Sequence, residues 1–210
     1  MWRRNLIYCY CTSSVRMNRT PDPAKQALRE KVATRIAQLS ADEKKRQSDI
    51  VYRKVINHPF YKSAQRIAIF MSTDEEIDTK PIIAHIKAKG AAAFVPQYAG
   101  GKMKMLKLEP DDEKIMSLTR HGIKQHSKDQ QREDALEKGL DLIIAPGAAF
   151  SRSGGRVGHG GGYYDKYITH LRANPSPPKI LAVAFNCQIV DEVPMNELDQ
   201  KIDGVIFADD

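Results

Sequence analysis

From Ala24 to Leu39 the apolar residues Ala27, Leu28, Val32, Ile36 and Leu39 recur at three- and four-residue steps, which puts them on one face of a predicted helix. Ser40 followed by Glu43 is a capping-box pattern that opens a second helix, carrying Ile50, Val51, Val55 and Ile56 and stopping near Pro59. The period then changes. Arg66 to Met71 (RIAIFM) reads as a buried strand, Thr79 with Pro81 opens a helix that runs to Lys89 and ends at Gly90, and Ala91 to Pro96 (AAAFVP) supplies the next strand. A strand, helix and strand in this order predict a parallel pair joined by a right-handed crossover.

Gly100 and Gly101 turn the chain into the alternating segment Met103 to Leu108, which suits an edge hairpin. The polar stretch from Glu109 to Lys138 predicts a helix from Asp129 onward, closed by Gly139 before the core strand Leu142 to Ala145. A glycine-rich stretch follows, then a helix over Tyr163 to Leu171, a strand at Ile180 to Phe185 and a last strand at Gly204 to Ala208. Near-continuous apolar strands alternating with helices imply an α/β fold: a single-domain three-layer α/β/α sandwich with a mostly parallel, Rossmann-like sheet and an edge hairpin. Ligands of such sheets sit beyond the carboxyl ends of the strands, so the loops after Met71, Pro96 and Ala145 should converge on a site.

Length and composition narrow the picture. The 210 residues, 41% hydrophobic and 28% charged, fit one folded domain, taken as residues 22–210. Residues 1–21 hold Arg3, Arg4, Arg16 and Arg19 and no acid before Asp22. That is the composition of a disordered extension or a mitochondrial transit peptide, and Met17 reads equally as an alternative start. Cys9, Cys11 and Cys187 give neither a disulfide framework nor paired C-x-x-C zinc motifs, so a reducing, cytoplasmic setting is expected, with mitochondrial residence the alternative that the N-terminus offers. No apolar run reaches membrane-spanning length, which argues against a membrane partner. The net charge of +7 favours anionic partners, but the basic residues are interleaved with acids and no nucleic-acid-binding motif accompanies them.

The segment richest in chemistry is Pro146 to Asp165, PGAAFSRSGGRVGHGGGYYD, between a core strand and a helix. Gly158, Gly160, Gly161 and Gly162 can present backbone N–H groups to phosphate oxygens, and the helix start behind them adds its positive dipole end. Arg156 offers a charge-assisted fork, and Asp165 can hold magnesium directly or through water. The loop lacks the G-K-[ST] of a Walker A motif and the G-x-G-x-x-G spacing of a dinucleotide site. Seen only as a count of glycines, it could equally be an exposed surface connection. His58, His85, His126 and His170 lack metal-ligand spacing and read as structural or exposed.

The run GGRVGHGGGYYDKY resembles the signature of the 5-formyltetrahydrofolate cyclo-ligases, also called methenyltetrahydrofolate synthetases. Lys25-x-x-Leu28-Arg29, Phe70-Met71 followed by Glu76, and Val193-Pro194 followed by Asp199 match that family in order, so the resemblance runs from Ala24 to the C-terminus. It implies ATP as co-substrate and Mg2+ as cofactor, with 5-formyltetrahydrofolate, including forms with glutamate tails, as the small-molecule substrate. A monomer without nucleic-acid or membrane partners is expected.

Carried over by position, the resemblance implies ATP contacts at Lys25, Gln26, Ala27, Leu28 and Arg29, and again from Arg156 and Val157 through Gly158, His159, Gly160, Gly161, Gly162, Tyr163 and Tyr164. Folate contacts are implied at Arg29, Met71, Glu76, His121, His159, Gly160, Gly161, Gly162 and Tyr163. His121 stands where many members have an aromatic residue. Asp165 and Asp199 match the magnesium ligands, and Lys25 and Arg156 the residues closest to the chemistry. Retention of Arg156, Asp165 and Asp199 argues against a member that merely sequesters folate.

Overall fold

The computed structural model describes residues 22–119 and 122–209. The N-terminal extension, with Cys9 and Cys11, and His121 therefore lie outside the described residues. In chain order the elements are α1 (Pro23–Ala37), α2 (Ala41–Asn57), the short α3 (Pro59–Ser63), β1 (Arg66–Ile69), α4 (Lys80–Ala88), β2 (Ala92–Ala99), β3 (Lys102–Lys107), the one-turn α5 (Asp112–Ile115), β4 (Ser117–Leu118), β5 (Lys124–Gln125), β6 (Leu142–Ala145), β7 (Ala149–Ser151), β8 (Arg156–Val157), α6 (Tyr163–Arg172), β9 (Lys179–Val183), β10 (Ile189–Val190) and β11 (Gly204–Ile206).

Six strands form the central sheet in the order β11-β9-β6-β1-β2-β3. All neighbours are parallel except β2 and β3, whose antiparallel pairing from Phe94↔Lys107 to Ala99↔Lys102 is the expected edge hairpin. Alternation of side chains along each strand explains the two cores. Ile67 and Ile69 of β1 join Val32, Val51, Val55 and Ile82 on one face, while Ala68 joins Ile143, Ile168 and Leu171 on the other. Helices α1, α2 and α4 thus cover one face and α6 the opposite one, a three-layer α/β/α sandwich. Buried on both sides, the strands carry apolar side chains at consecutive positions, which is why they read as unbroken apolar runs. Among the described residues no helix is long and apolar enough to cross a membrane.

Several local expectations change. Ser40 caps α2 by accepting the Glu43 N–H at 3.1 Å, but the Glu43 carboxylate turns to Arg46 and Gln47 instead of returning to the cap. Thr79 makes no side-chain cap for α4; its hydroxyl donates to the Phe70 carbonyl at 2.9 Å and accepts the Ser72 N–H, fixing the turn after β1. The helix expected from Asp129 is absent. Only a single 3-10 turn forms there, over Ala135–Glu137, because the backbone pairs with β3 instead, Lys107 N–H donating to the Glu133 carbonyl at 2.9 Å. The last strand ends at Ile206, short of Ala208.

Candidate active site

Outward from the centre the sheet runs β1, β2, β3 on one side and β6, β9, β11 on the other, so the strand order reverses between β1 and β6. A crevice opens at such a switch point because the chain leaves the two central strands in opposite directions. A cleft of about 860 Å³ occupies that place. Thr73, Glu75 and Glu76 enter it from the loop after β1, Pro146, Gly147 and Ala148 from the loop after β6, and Tyr98 from β2. Helix α1 adds Arg29, Val32, Ala33 and Ile36, and the glycine-rich stretch adds Arg156, Gly158, His159, Gly161, Gly162 and Tyr163. The β1 and β6 loops thus meet as expected, and β2 reaches the cleft through its own last residues.

The glycine-rich stretch is more ordered than its composition suggests. β7 and β8 pair antiparallel through Ala149↔Val157 and Phe150↔Arg156, and β10 pairs with β7, so Arg156 stands on a small sheet. Its guanidinium is buried. Nη2 donates to Asp165 Oδ1 at 2.9 Å, Nη1 donates to the Pro146 carbonyl at 3.2 Å, and Nε has no partner among the described residues. A buried guanidinium N–H without an acceptor is costly and marks a place where an anionic ligand would be favoured. Gly158 leaves room for this group: a Cβ there would sit 3.0 Å from Arg156 Nη1.

Behind the loop, Gly162 is the N-cap of α6; its φ of 65° lies in the left-handed region and it supplies no side-chain acceptor. The first N–H groups of the helix therefore have no capping side chain, the arrangement in which an anion is held by backbone dipoles. Arg29 Nε donates to the Gly158 carbonyl at 2.8 Å and so ties α1 to the loop.

Lys25 is not on a solvated face. It is buried and pairs with Asp199, each side chain being 8% exposed, and Asp199 also accepts the Asn196 N–H at 2.6 Å. The Gln200 N–H donates to Asp165 Oδ1 at 3.1 Å, which places Asp199 one residue from the second carboxylate. Two basic side chains and two carboxylates thus form two ion pairs, of which Arg156 and Asp165 line the cleft while the buried Lys25 and Asp199 do not. Both carboxylates are hard oxygen donors and each retains an oxygen without a hydrogen-bond partner among the described residues, a set that fits magnesium completed by phosphate and water oxygens. No third His, Cys, Asp or Glu joins them among the described residues, so the protein alone does not make a closed metal cage.

On the other side of the cleft, Glu76 accepts from the Thr73 N–H at 2.9 Å and hydroxyl at 3.0 Å through Oε2, while Oε1 lies 3.7 Å from His159 Nε2. The Tyr98 and Tyr163 rings meet edge to face with centroids 5.1 Å apart. Burial, then the Glu76 charge and Tyr163, push the Tyr98 hydroxyl up to about 12, so it stays protonated as a donor. Several expected contacts do not line the cleft, among them Val157, which is buried in the core. Met71 is packed in the core on the α1 side of the sheet, and Gln26 and Ala27 face solvent on α1, with Gln26 bonded to Glu30. Leu28 packs against the same core. Sequence reasoning missed Tyr98, Thr73 and the apolar wall of Val32, Ala33 and Ile36; only the helical stripe containing Val32 and Ile36 was visible, and it reads as core.

A sequence profile of the 5-formyltetrahydrofolate cyclo-ligase family matches residues 21–208. The chain is 37% identical over 195 residues to the 5-formyltetrahydrofolate cyclo-ligase of Mus musculus, covering 90% of this chain and 96% of that protein. It is 36% identical over 190 residues to a probable 5-formyltetrahydrofolate cyclo-ligase of Caenorhabditis elegans, covering 87% and 92%. In three dimensions it is similar to the 5,10-methenyltetrahydrofolate synthetase of Aquifex aeolicus, with a TM-score of 0.73 at 24% identity, 89% of this chain and 90% of the other being covered. A family match that spans nearly all described residues, with relatives 36–37% identical over most of their own length, places this chain in the 5-formyltetrahydrofolate cyclo-ligase family.

Proposed function

We propose that this chain converts 5-formyltetrahydrofolate to 5,10-methenyltetrahydrofolate with consumption of ATP in the presence of magnesium. The observation that carries the reading is the buried Arg156, held by Asp165 under the Gly158–Gly162 loop, with an uncapped helix start beside it. Such a site is built for phosphate oxygens, and family membership supplies the second substrate.

A formamide oxygen is a poor leaving group, so ring closure needs that oxygen converted to a phosphate ester. The formyl oxygen attacks the γ-phosphorus of ATP, a new O–P bond forms, and the bond to the bridging oxygen breaks to release ADP. N10 of the folate then attacks the activated carbon; its proton is lost, the C–O bond breaks, and phosphate leaves with the electron pair. Transfer of this kind needs positioning and charge neutralisation more than a protein nucleophile.

Lys25, Arg29 and Arg156 hold the phosphates, and the loop amides with the first N–H groups of α6 orient the transferred group. Arg29 has a second task, fixing the loop through the Gly158 carbonyl. Asp165 and Asp199 would hold magnesium, which when bound neutralises phosphate charge. Tyr98, Tyr163 and the apolar wall of α1 border the space left for the folate ring, and Glu76 offers a carboxylate to its polar edge. The cytoplasm and a monomeric state are the expected setting.

The test is absorbance of the methenyl product when purified protein is mixed with 5-formyltetrahydrofolate, ATP and magnesium, beside an Asp165→Asn variant. Turnover that requires ATP and is lost in the variant supports the reaction and the role of Asp165. Folate binding without turnover in the wild-type protein overturns the enzymatic reading.

A further inference from the structure

The stretch from Glu109 to Asp134 contributes Thr119 and Ile123 to the cleft, yet its described residues have little regular structure: one helical turn, α5, and the two-residue strands β4 and β5. Two of its large apolar side chains do not anchor it, Ile115 being 65% and Leu118 66% exposed, while Met116 and Ile123 pack partly buried against the core. What closes its base is polar. The buried Asp112 carboxylate accepts five hydrogen bonds: from the Glu109 N–H at 2.9 Å, His126 Nε2 at 3.0 Å, Gln130 Nε2 at 2.9 Å, and Arg132 Nε and Nη2 at 2.9 and 2.5 Å.

These donors come from both legs of the β4–β5 hairpin, so a single carboxylate closes its base. The closed base is then fixed to β2. Gln97 Nε2 donates to the His126 and Ser127 carbonyls at 3.2 and 2.7 Å, and Gln125 exchanges hydrogen bonds with the Tyr98 backbone. Tyr98 is the residue whose ring meets Tyr163 in the cleft. Buried, charge-assisted bonds of this kind fix geometry more firmly than exposed pairs.

We propose that Asp112 is a positioning residue for the folate side of the cleft: by joining the two legs of the hairpin it holds Thr119 and Ile123 where the ring of the substrate packs. This rests on the function proposed above. Neither Thr119 nor Ile123 carries charge, so this wall serves an uncharged ring and not the triphosphate, and loosening it acts on one substrate only. Re-ordering two side chains on each binding event corresponds to about a tenfold loss of folate affinity.

The test compares wild type with Asp112→Asn and Arg132→Gln, with Lys87→Met, which removes only the half-exposed Lys87–Glu113 pair of the same stretch, as control. Calorimetric titration with 5-formyltetrahydrofolate and KM for each substrate are measured below the melting temperature of every variant. The expected result is about a tenfold rise in folate Kd and KM in Asp112→Asn, a smaller rise in Arg132→Gln, and ATP KM and kcat within about twofold. Unchanged folate affinity in the folded variants, or a parallel rise of both KM values, overturns the positioning role while leaving the enzymatic reading intact. Should Asp112→Asn fail to fold, Arg132→Gln alone decides between these outcomes. A wild-type protein that does not bind the folate removes both.

Discussion

Replacing Asp199 by Asn is expected to strengthen the binding of metal-free ATP, although it removes a proposed metal ligand. In the ligand-free protein Lys25 is neutralised by Asp199 and Arg156 by Asp165. A triphosphate that takes Lys25 without bringing a metal strands the Asp199 carboxylate, 8% exposed, next to added negative charge. The loss is on the order of one hydrogen bond to a charged group, about 1.5–3 kcal/mol. That corresponds to a factor of about 10–100 in affinity. Asparagine removes the stranded charge while keeping an oxygen for the Asn196 N–H. The assay is calorimetric titration with ATP in chelator, repeated with magnesium. The variant should bind ATP about 10–100-fold more tightly than wild type in chelator, and the gain that magnesium confers on wild type should shrink in the variant. Equal or weaker binding by the folded variant in chelator refutes the reasoning.

Two further outcomes follow from geometry and charge. Gly162→Ala forces a Cβ into a left-handed residue, φ 65°, at the start of α6, which costs about 1–2 kcal/mol and should lower the melting temperature by roughly 2–8 °C with weaker ATP binding; an unchanged melting curve contradicts it. The Tyr98 hydroxyl, held near 12 in the folded protein against about 10 when unfolded, contributes stability that is complete below about pH 10 and lost as pH rises toward about 12. Tyr61, Tyr164 and Tyr167 are shifted the same way by burial, so phenolate absorbance from these four should appear together with loss of the native circular dichroism; their full ionisation near pH 10 in a folded protein contradicts this.

The sheet was legible because β1, β6 and β9 are buried on both faces and therefore apolar at successive positions. The glycine-rich loop was legible because a backbone laid bare, with left-handed residues at Gly160 and Gly162, leaves a compositional trace. Two kinds of feature left none. Lys25 finds Asp199 across 174 residues, and Asp112 gathers donors from Glu109, His126, Gln130 and Arg132, partnerships that no local period encodes. The segment from Asp129 contains good helix formers, but Gln130 and Arg132 are committed to Asp112 and the Asp134 backbone bridges to Leu106, so tertiary bonds outweigh propensity. β7 and β8 escaped for another reason: strands of two or three residues fall below the length at which alternation can be seen.

The span of the Lys25–Asp199 pair bears on the order of assembly. The central strand β1 meets β2 early, with Ile67 opposite Ala93, but must wait for Leu142 before its other edge is covered. The clasp between the first helix and Asp199 forms later still, since contacts remote in sequence bear the largest loop-closure cost. During synthesis the proposed phosphate site is therefore completed only after Asp199 has emerged. On the function proposed above, ATP would not act as a template for a chain that ends before Asp199, and nucleotide-dependent protection from proteolysis would appear only once Asp199 has joined the fold.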